Sequence, residues 1–374
     1  MNILIIDPSG TINYCNGLSS ALANKNQVKV IARDNYNGND PRISVEKAFI
    51  LSEGDKIKKG FSYIKGWNRV LKTVRSEKYD VIHIQWLLVY DIDIFYLGIL
   101  KHYCQNIVYT AHNVLPHVNG NKSIKQLNKI YSLVDKIIVH GESLRSDLLN
   151  AFPEIPHNKI FIQRHGADIR VISQDVPEKL VDNNVLNFLS SKQGRHFLYL
   201  GVIFENKGID RLIRFWDKYA SQFPDDCLII AGMPSDKAYM EKIEPFVKNV
   251  SKKDNFLFIP HKIDNYTHDY LYLHSDLILL PYRHASMSGV IFDAALFSKT
   301  VLTTQTGCIG EYLEKDYDSF LTENSYEAYA NQLLSILNTS SKEELNDMGK
   351  KLHSDIYEKY NWNVIAEQLL AEVY

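Results

Sequence analysis

Short runs of aliphatic and β-branched residues alternate along the chain with amphipathic stretches. NILIID opens the series, a helical segment follows near 17–25, and VKVIA, VIHIQ, NIVYTAHN, KIIVHG and KIFIQRHG complete the first half. Continuous apolar runs of this length, separated by helical segments, belong to parallel strands covered on both faces and joined by crossovers. The pattern predicts a doubly wound α/β sheet. After Asp168 a polar stretch without strand periodicity leads to a second series, HFLYLG, CLIIAG, FLFIP, DLILLPY and TVLTT, with helices expected at 209–222 and 237–250. The expected organisation is two parallel-sheet domains in tandem, 1–170 and 196–360, with 171–195 as the linker. A long helix near 341–359 precedes YNWNVIAEQLLAEVY, where Trp362, Ile365, Leu369 and Val373 recur at helical spacing. The segment 361–374 is expected to pack back on the first domain.

Length and composition fit this picture. A chain of 374 residues exceeds one ordinary core, and 45% hydrophobic with 23% charged residues is a globular balance. The start, MNILIIDPSG, lacks a basic region and a cleavage site, and no apolar run approaches the roughly 18 residues of a membrane span. The cytoplasm is the expected compartment. Cys15, Cys104, Cys227 and Cys308 are too far apart for a zinc knuckle or a redox pair and read as core thiols.

The net charge of -2 conceals an asymmetry. Residues 1–168 carry 21 Lys+Arg against 15 Asp+Glu, leaving 21 and 29 of the totals 42 and 44, so the halves stand at +6 and -8. Much of the excess lies in 56–78, KIKKGFSYIKGWNRVLKTVRSEK, which has eight basic residues and one acid, Glu77. Phe61, Ile64, Trp67, Leu71 and Val74 form an apolar stripe on the same segment. Such a helix packs into its own domain and also suits peripheral contact with an anionic membrane. No RNA- or DNA-binding module accompanies the charge, so nucleic acid is not an expected partner.

Open α/β sheets bind ligands beyond the carboxyl ends of their strands, which directs attention to four loops. DPSGTINYCNG follows the first strand, but Gly10 and Gly17 are too widely spaced for a dinucleotide fingerprint, leaving a donor sugar or an acceptor as the ligand. GVIFENKG (201–208) leads into a helix; Gly201 permits close approach, and Lys207 at the helix mouth suits a diphosphate. In LPYRHASMSGVIFDAALF the small residues Ser286, Ser288 and Gly289 precede a helix starting near Val290, whose free amides and hydroxyls suit an anion. Asp293, one turn in, is placed to accept bonds from sugar or ribose hydroxyls. His112 follows the strand NIVYTA, with His165 at the same level of another strand, and His261–Ile263 is the expected nucleobase loop. The Asp91-Ile92-Asp93 triplet reads as a helix-capping pair.

Taken in order, TAHNVLPH (110–117), YSLVDKIIVHGESLRSDL (131–148), RHGAD (164–168), GVIFENKGIDRLI (201–213) and LPYRHASMSGVIFDAALFSKTVLTTQTGCIGE (280–311) resemble glycosyltransferase family 4, the group 1 glycosyltransferases, of the bacterial surface-polysaccharide type. The resemblance spans nearly the whole chain. It implies a GT-B fold, two Rossmann-like doubly wound domains facing across a cleft. It also implies transfer of a sugar with retention from a nucleotide-diphosphate donor, without metal or other cofactor. The implied acceptor is a saccharide, and the basic segment favours a lipid-linked one, in polysaccharide or glycan biosynthesis. By the resemblance His112, Lys207 and Asp293 are catalytic; together with the loop readings, Gly10, Gly201, Lys207, Arg283, Ser286, Ser288, Gly289, Val290 and Asp293 are the residues expected to hold the donor. Two departures stand out. Of the family's two acids, Asp293 matches the second while Ala285 replaces the first. The arginine before the lysine is replaced by Val202 or Phe204, and Arg283, Arg164 or Arg211 is the candidate to supply its charge. The alternative function is a non-catalytic partner that binds a sugar nucleotide or glycan. A GT-B epimerase would need carboxylate pairs that the sequence does not offer.

Overall fold

A computed structural model describes residues 1–10, 12–50, 56–115, 123–167, 172–173 and 175–374. His117 and Asp168 of the resembling segments lie outside the described residues. Two compact units are present: Met1–Asp168 with Tyr360–Tyr374, and Ile169–Lys359.

The first unit holds strands β1 (Asn2–Asp7), β2 (Gln27–Arg33), β3 (Ser44–Phe49), β4 (Val81–Ile84), β5 (Ile107–Thr110), β6 (Lys136–Val139) and β7 (Ile160–Ile162). Its helices are α1 (Ile12–Leu22), α2 (Lys56–Ser76), α3 (Tyr90–Leu100), α4 (Ile124–Leu133) and α5 (Glu142–Ala151). All seven strands are parallel, in the order β3-β2-β1-β4-β5-β6-β7. The chain starts in the middle and reverses its winding between β1 and β4, the switch point where such sheets bind ligands. Ile3, Ile5, Val28, Val30, Val81, Val108 and Ile138 form one core with Tyr14, Leu18 and Leu22 of α1.

The second unit contains α6 (Asn183–Ser190), then β8 (His196–Leu200), α7 (Ile209–Tyr219), β9 (Cys227–Ala231), α8 (Lys237–Val250), β10 (Phe256–Ile259) and α9 (Asn265–Leu273). β11 (Leu277–Leu280), α10 (Val290–Leu296), β12 (Thr300–Thr304), β13 (Phe320–Thr322), α11 (Tyr326–Thr339) and α12 (Lys342–Tyr360) follow. The order β10-β9-β8-β11-β12-β13 repeats the logic, with its switch point between β8 and β11. The last helix, α13 (Trp362–Glu372), packs on α1 in the first unit, where Trp362, Ile365 and Leu369 join the core. The Trp362 indole approaches so closely that a Cβ at Gly17 or Gly166 would lie 2.0 or 2.3 Å from it.

Several local expectations need correction. The first helix starts at Ile12 rather than near 17. β3 was not anticipated, because SVEKAF is a half-exposed edge strand without an apolar run. The expected linker carries α6, capped by the Asp182 side chain on the Asn184 amide and burying Val185 and Leu189 in the second unit. Of the expected capping pair, Asp91 is exposed and makes no cap bond among the described residues, whereas Asp93 is a buried hub that meets the N-cap residue Val89. Its carboxylate accepts from the Val89 amide, the Tyr63 hydroxyl and the Trp67 indole at 2.9, 2.6 and 3.0 Å. Burial raises its pKa to about 7. The apolar stripe of α2 is mostly core: Trp67, Leu71 and Val74 are buried, while Phe61 remains exposed. All four cysteines are buried thiols.

Candidate functional site

In the second unit the site elements converge at the carboxyl ends of β8 and β11. Beyond β8 the chain makes a tight turn at Glu205–Lys207, and Gly208, at φ 69° and ψ 25°, caps α7 in the left-handed region that glycine tolerates best. The Arg283 and His284 amides donate to the Asn206 carbonyl at 2.8 and 3.1 Å, tying this turn to the loop after β11. Arg283 also grips Asp210 through both terminal nitrogens, at 2.7 and 2.6 Å, and donates to the Glu205 carbonyl at 2.9 Å. Its guanidinium is therefore a clamp between the loops, not a free charge awaiting a ligand. Arg211 is engaged by the Pro281 and Tyr282 carbonyls and Asn324. In the first unit, Arg164 donates to the His140 carbonyl at 3.4 Å.

Lys207 differs from all three. Its Nζ lies 4.3 Å from the Tyr282 ring centroid, and no carboxylate is within ion-pair distance among the described residues. Burial lowers its pKa from the ordinary lysine value. A desolvated ammonium without a counter-charge, near a helix N-terminus, is a position that an anion stabilises. Beneath it the Tyr282 hydroxyl meets the Ser288 hydroxyl at 2.9 Å, with both residues buried. Burial, countered by the Ser288 bond and reinforced by the Asp293 charge, pushes the Tyr282 phenol up to about 12. Lys207, Tyr282, Ser288 and Asp293 thus belong to one cluster.

The neighbouring positions are less uniform. Ser286 accepts from the Cys308 amide through its carbonyl at 3.0 Å, and Gly289 caps α10 ahead of Val290 with open space where a Cβ would stand. Ala285 is buried at 3% exposure, so no carboxylate occupies the first acid position. Gly201 has ordinary backbone geometry. The close approach is made by Gly232, at φ 146°, where a Cβ would lie 1.8 Å from the Gly201 carbonyl oxygen. Gly232 ends the run CLIIAG and was missed. His261 lies beyond β10, exposed and 3.8 Å from Asp182.

In the first unit, alternate residues on one sheet face change from apolar to polar toward the carboxyl ends: Ile5 then Asp7, Val81 then His83 and Gln85, Val108 then Thr110 and His112, Ile138 then His140. Asp7 Oδ1 accepts from the amides of Ser9 and Gly10, each at 3.1 Å, and shapes the first loop. Gly10, at φ 74°, would place a Cβ 2.2 Å from Asn35 Oδ1. Because β4, β5, β6 and β7 are neighbours, His83, His112, His140 and His165 gather. Among the described residues no group of three or more acids, cysteines or histidines is arranged to hold a metal ion.

His83, His112 and His140 lie in two hydrogen-bonded runs. His83 is bonded to the Tyr374 hydroxyl through Nδ1 and to Thr110 at 2.7 Å through Nε2. His140 Nδ1 faces the Gln163 carbonyl at 3.0 Å and must donate; its Nε2 then accepts from His112 Nδ1 at 3.1 Å. With both rings neutral, His112 Nε2 is an acceptor facing the Gln85 carboxamide at 3.2 Å. Gln85 is fully buried and its amide nitrogen has no other partner, so donor counting turns that N–H toward His112. Burial lowers the pKa of His83 and His165 to about 3 and of His140 to about 4, and holds His112 well below its ordinary value. His112 keeps some solvent-accessible surface and stacks on Trp86 with centroids 4.6 Å apart. Both its ring nitrogens are used within the protein, so it offers a ligand its ring edge and adjacent backbone rather than a free base. His83, Gln85 and His140 were missed as members of this network.

Comparison with known proteins follows the same division. Residues 8–171 match the model for Glycosyltransferase Family 4, and residues 186–354 match that for Glycosyl transferases group 1. The chain is 22% identical to an alpha-maltose-1-phosphate synthase of Mycolicibacterium smegmatis over 338 residues, covering 83% of this chain and 84% of that protein. The crystal structure of Anabaena HepE in complex with UDP and glucose superposes with a TM-score of 0.74 at 15% identity, covering 99% of this chain and 98% of HepE. A sucrose-phosphate synthase from Thermosynechococcus elongatus gives 0.73 at 18% identity, covering 99% and 98%.

Proposed function

The chain belongs to the glycosyltransferases, with a family 4 domain followed by a group 1 domain in a GT-B fold, and from that premise we propose that it transfers a sugar, with retention, from a nucleotide-diphosphate donor held mainly by the second unit. Lys207 carries the proposal: it is a desolvated cation without a carboxylate partner, set beside Tyr282 and Ser288 at the switch point of the sheet. In this reading the leaving diphosphate takes its charge stabilisation from Lys207 and from the amides of Ser286, Ser288, Gly289 and Val290. Asp293 accepts from a donor hydroxyl, and no metal is called upon. The departing phosphate's charge grows in the transition state, so a preorganised cation lowers the barrier more than it strengthens ground-state binding.

His112 and the Gly10 loop orient the sugar in this proposal, and Gly201 lines the diphosphate loop. Arg283 acts through its clamp on Asp210. The acceptor is a saccharide, lipid-linked, in polysaccharide or glycan biosynthesis, and the site of action is the cytoplasm with peripheral membrane contact through 56–78. No helix among the described residues is long and apolar enough to cross a membrane. The absence of a carboxylate at Ala285 favours one second reading, a sugar-nucleotide-binding partner without turnover. Thermal-shift titration with UDP, GDP and ADP tests the donor assignment. One nucleotide should raise the unfolding temperature of the wild type and not of Lys207→Met, whereas no shift with any of them rejects it.

A further inference from the structure

The ring of His112 is held by a chain of hydrogen bonds whose polarity starts on backbone. Gln163 continues the sheet beyond β7, its amide donating to the Val139 carbonyl at 2.9 Å, so its own carbonyl has a fixed place. A carbonyl can only accept, which puts the proton of His140 on Nδ1, 3.0 Å away. Nε2 of a neutral His140 is then bare and accepts from His112 Nδ1 at 3.1 Å. The reverse polarity, with His112 Nε2 donating to Gln85, would set two bare nitrogens face to face or require a second proton on His140. His140 is 1% exposed, and its burial, with the Arg164 charge beside it, opposes that proton and lowers its pKa to about 4. Unassisted imidazole prefers its proton on Nε2, so the Nδ1–H form of His112 is imposed by its partner. The Ala111 amide donates to the Ile138 carbonyl at 2.8 Å, and His112 therefore stands on a rigid extension of β5. Its near-parallel stack on Trp86, 6° between planes, sets the plane of the ring; the two hydrogen bonds set its angle within that plane.

We propose that His140 is a positioning residue for the transfer: by accepting from His112 Nδ1 it fixes the neutral tautomer and the ring angle with which His112 meets the donor sugar. The inference deepens the reading in which His112 orients the sugar and rests on it. A neutral ring suits that place, because it does not repel the positive charge that grows on the sugar as the diphosphate leaves.

The test reads the ring directly, by long-range proton–nitrogen correlation NMR of the full chain labelled in its histidines, with circular dichroism of every variant. The His112 signals, identified by their loss in His112→Asn, should show a protonated Nδ1 and a bare Nε2. His140→Leu removes the acceptor and should move the proton to Nε2. His140→Gln, whose carboxamide can donate to the Gln163 carbonyl and accept from His112, should keep it on Nδ1. With the sugar nucleotide that the wild type turns over, kcat of His140→Leu should fall about tenfold to a hundredfold through misplacement of a group at the reacting sugar. Its donor dissociation constant should change by less than about threefold, since the interaction lost is one that acts in turnover. His140→Gln should recover most of kcat. A wild-type His112 that carries its proton on Nε2 overturns the proposal, and that result needs no variant of His140 to fold. So does a His140→Gln protein that falls as far as His140→Leu, or a loss of donor affinity equal to the loss of turnover. Unchanged turnover in His140→Leu removes the positioning role alone, whereas a wild type that releases no nucleotide from any donor removes the transferase reading and the role of His140 with it.

Discussion

Replacing Gly208 by alanine perturbs the candidate donor site without touching a charge. At φ 69° and ψ 25° an L-residue is strained by about 1–2 kcal/mol. The new Cβ would also lie 2.0 Å from the Pro281 carbonyl oxygen, far inside any tolerable contact, and backbone cannot rotate away as a side chain would. The turn must therefore separate from the loop after β11, straining the two amide bonds that Arg283 and His284 make to Asn206. At about 0.5–1.5 kcal/mol net for each bond, the total is roughly 2–5 kcal/mol. For a unit of this size that corresponds to a fall of about 5–15 °C in unfolding temperature. Because Lys207 is carried by the same turn, nucleotide binding should weaken as well. Scanning calorimetry with and without the bound nucleotide reads both effects, and Gly289→Ala, whose Cβ meets nothing within 4 Å, is the control expected to stay within about 0.5 kcal/mol. A Gly208→Ala protein with wild-type stability and an undiminished nucleotide shift would refute the reasoning.

Other consequences are as direct. Lys207→Met should lower turnover by about 10²–10³, as for loss of one transition-state charge contact, with little change in melting temperature because no ion pair is broken; unchanged steady-state turnover would remove Lys207 from the mechanism. Arg283→Ala leaves the Asp210 carboxylate without its clamp and should cost about 1–3 kcal/mol, below the fully buried case because the guanidinium is a third exposed; denaturant unfolding measures it, and unchanged donor affinity and turnover would exclude any role for Arg283 in the site. Acid should destabilise the first unit early. His83, His140 and His165 are folded with pKa values of about 3, 4 and 3, so the unfolded chain binds the extra protons first, and stability present above the ordinary value near 6.5 is lost as pH falls toward 4. At pH 5.5 each of the three contributes a loss of order 1 kcal/mol. Asp93 works in the opposite sense, since its raised folded value returns stability as pH falls from about 7, but it is one group against three. Melting temperatures that stay flat from pH 7 to 5 would contradict the neutral histidine network.

The parallel sheets were legible because strands buried on both faces write themselves as unbroken apolar runs, and NILIID, KIIVHG and CLIIAG all became strands. β3 was not, since an edge strand with one wet face carries little of that signal. Helix α6 had a readable cap in Asp182 and apolar residues one turn apart, but its polar surroundings suggested a linker. At the site, Lys207 and Ser288 could be found from loop position alone. The histidine network could not. Each ring lay in a strand that had been recognised, yet their convergence depends on β4, β5, β6 and β7 being neighbours, which strand order decides and single segments do not record. Arg283 shows the converse limit, because a nearby arginine looks available until its carboxylate partner, Asp210, is placed by tertiary packing. The same holds for α2, where periodicity identified an apolar stripe and packing decided that Trp67, Leu71 and Val74 belong to the core while Phe61 does not.

The central claim is sugar transfer from a nucleotide-diphosphate donor, and its most direct measurement is nucleotide release. UDP-, GDP- and ADP-linked hexoses are incubated with the full chain, with and without a lipid-linked saccharide fraction, and freed nucleoside diphosphate is quantified. The account predicts release from one donor that depends on the acceptor and falls at least a hundredfold in Lys207→Met. Tight binding of a sugar nucleotide with no acceptor-dependent release, or release equal in the Lys207→Met variant, would contradict it.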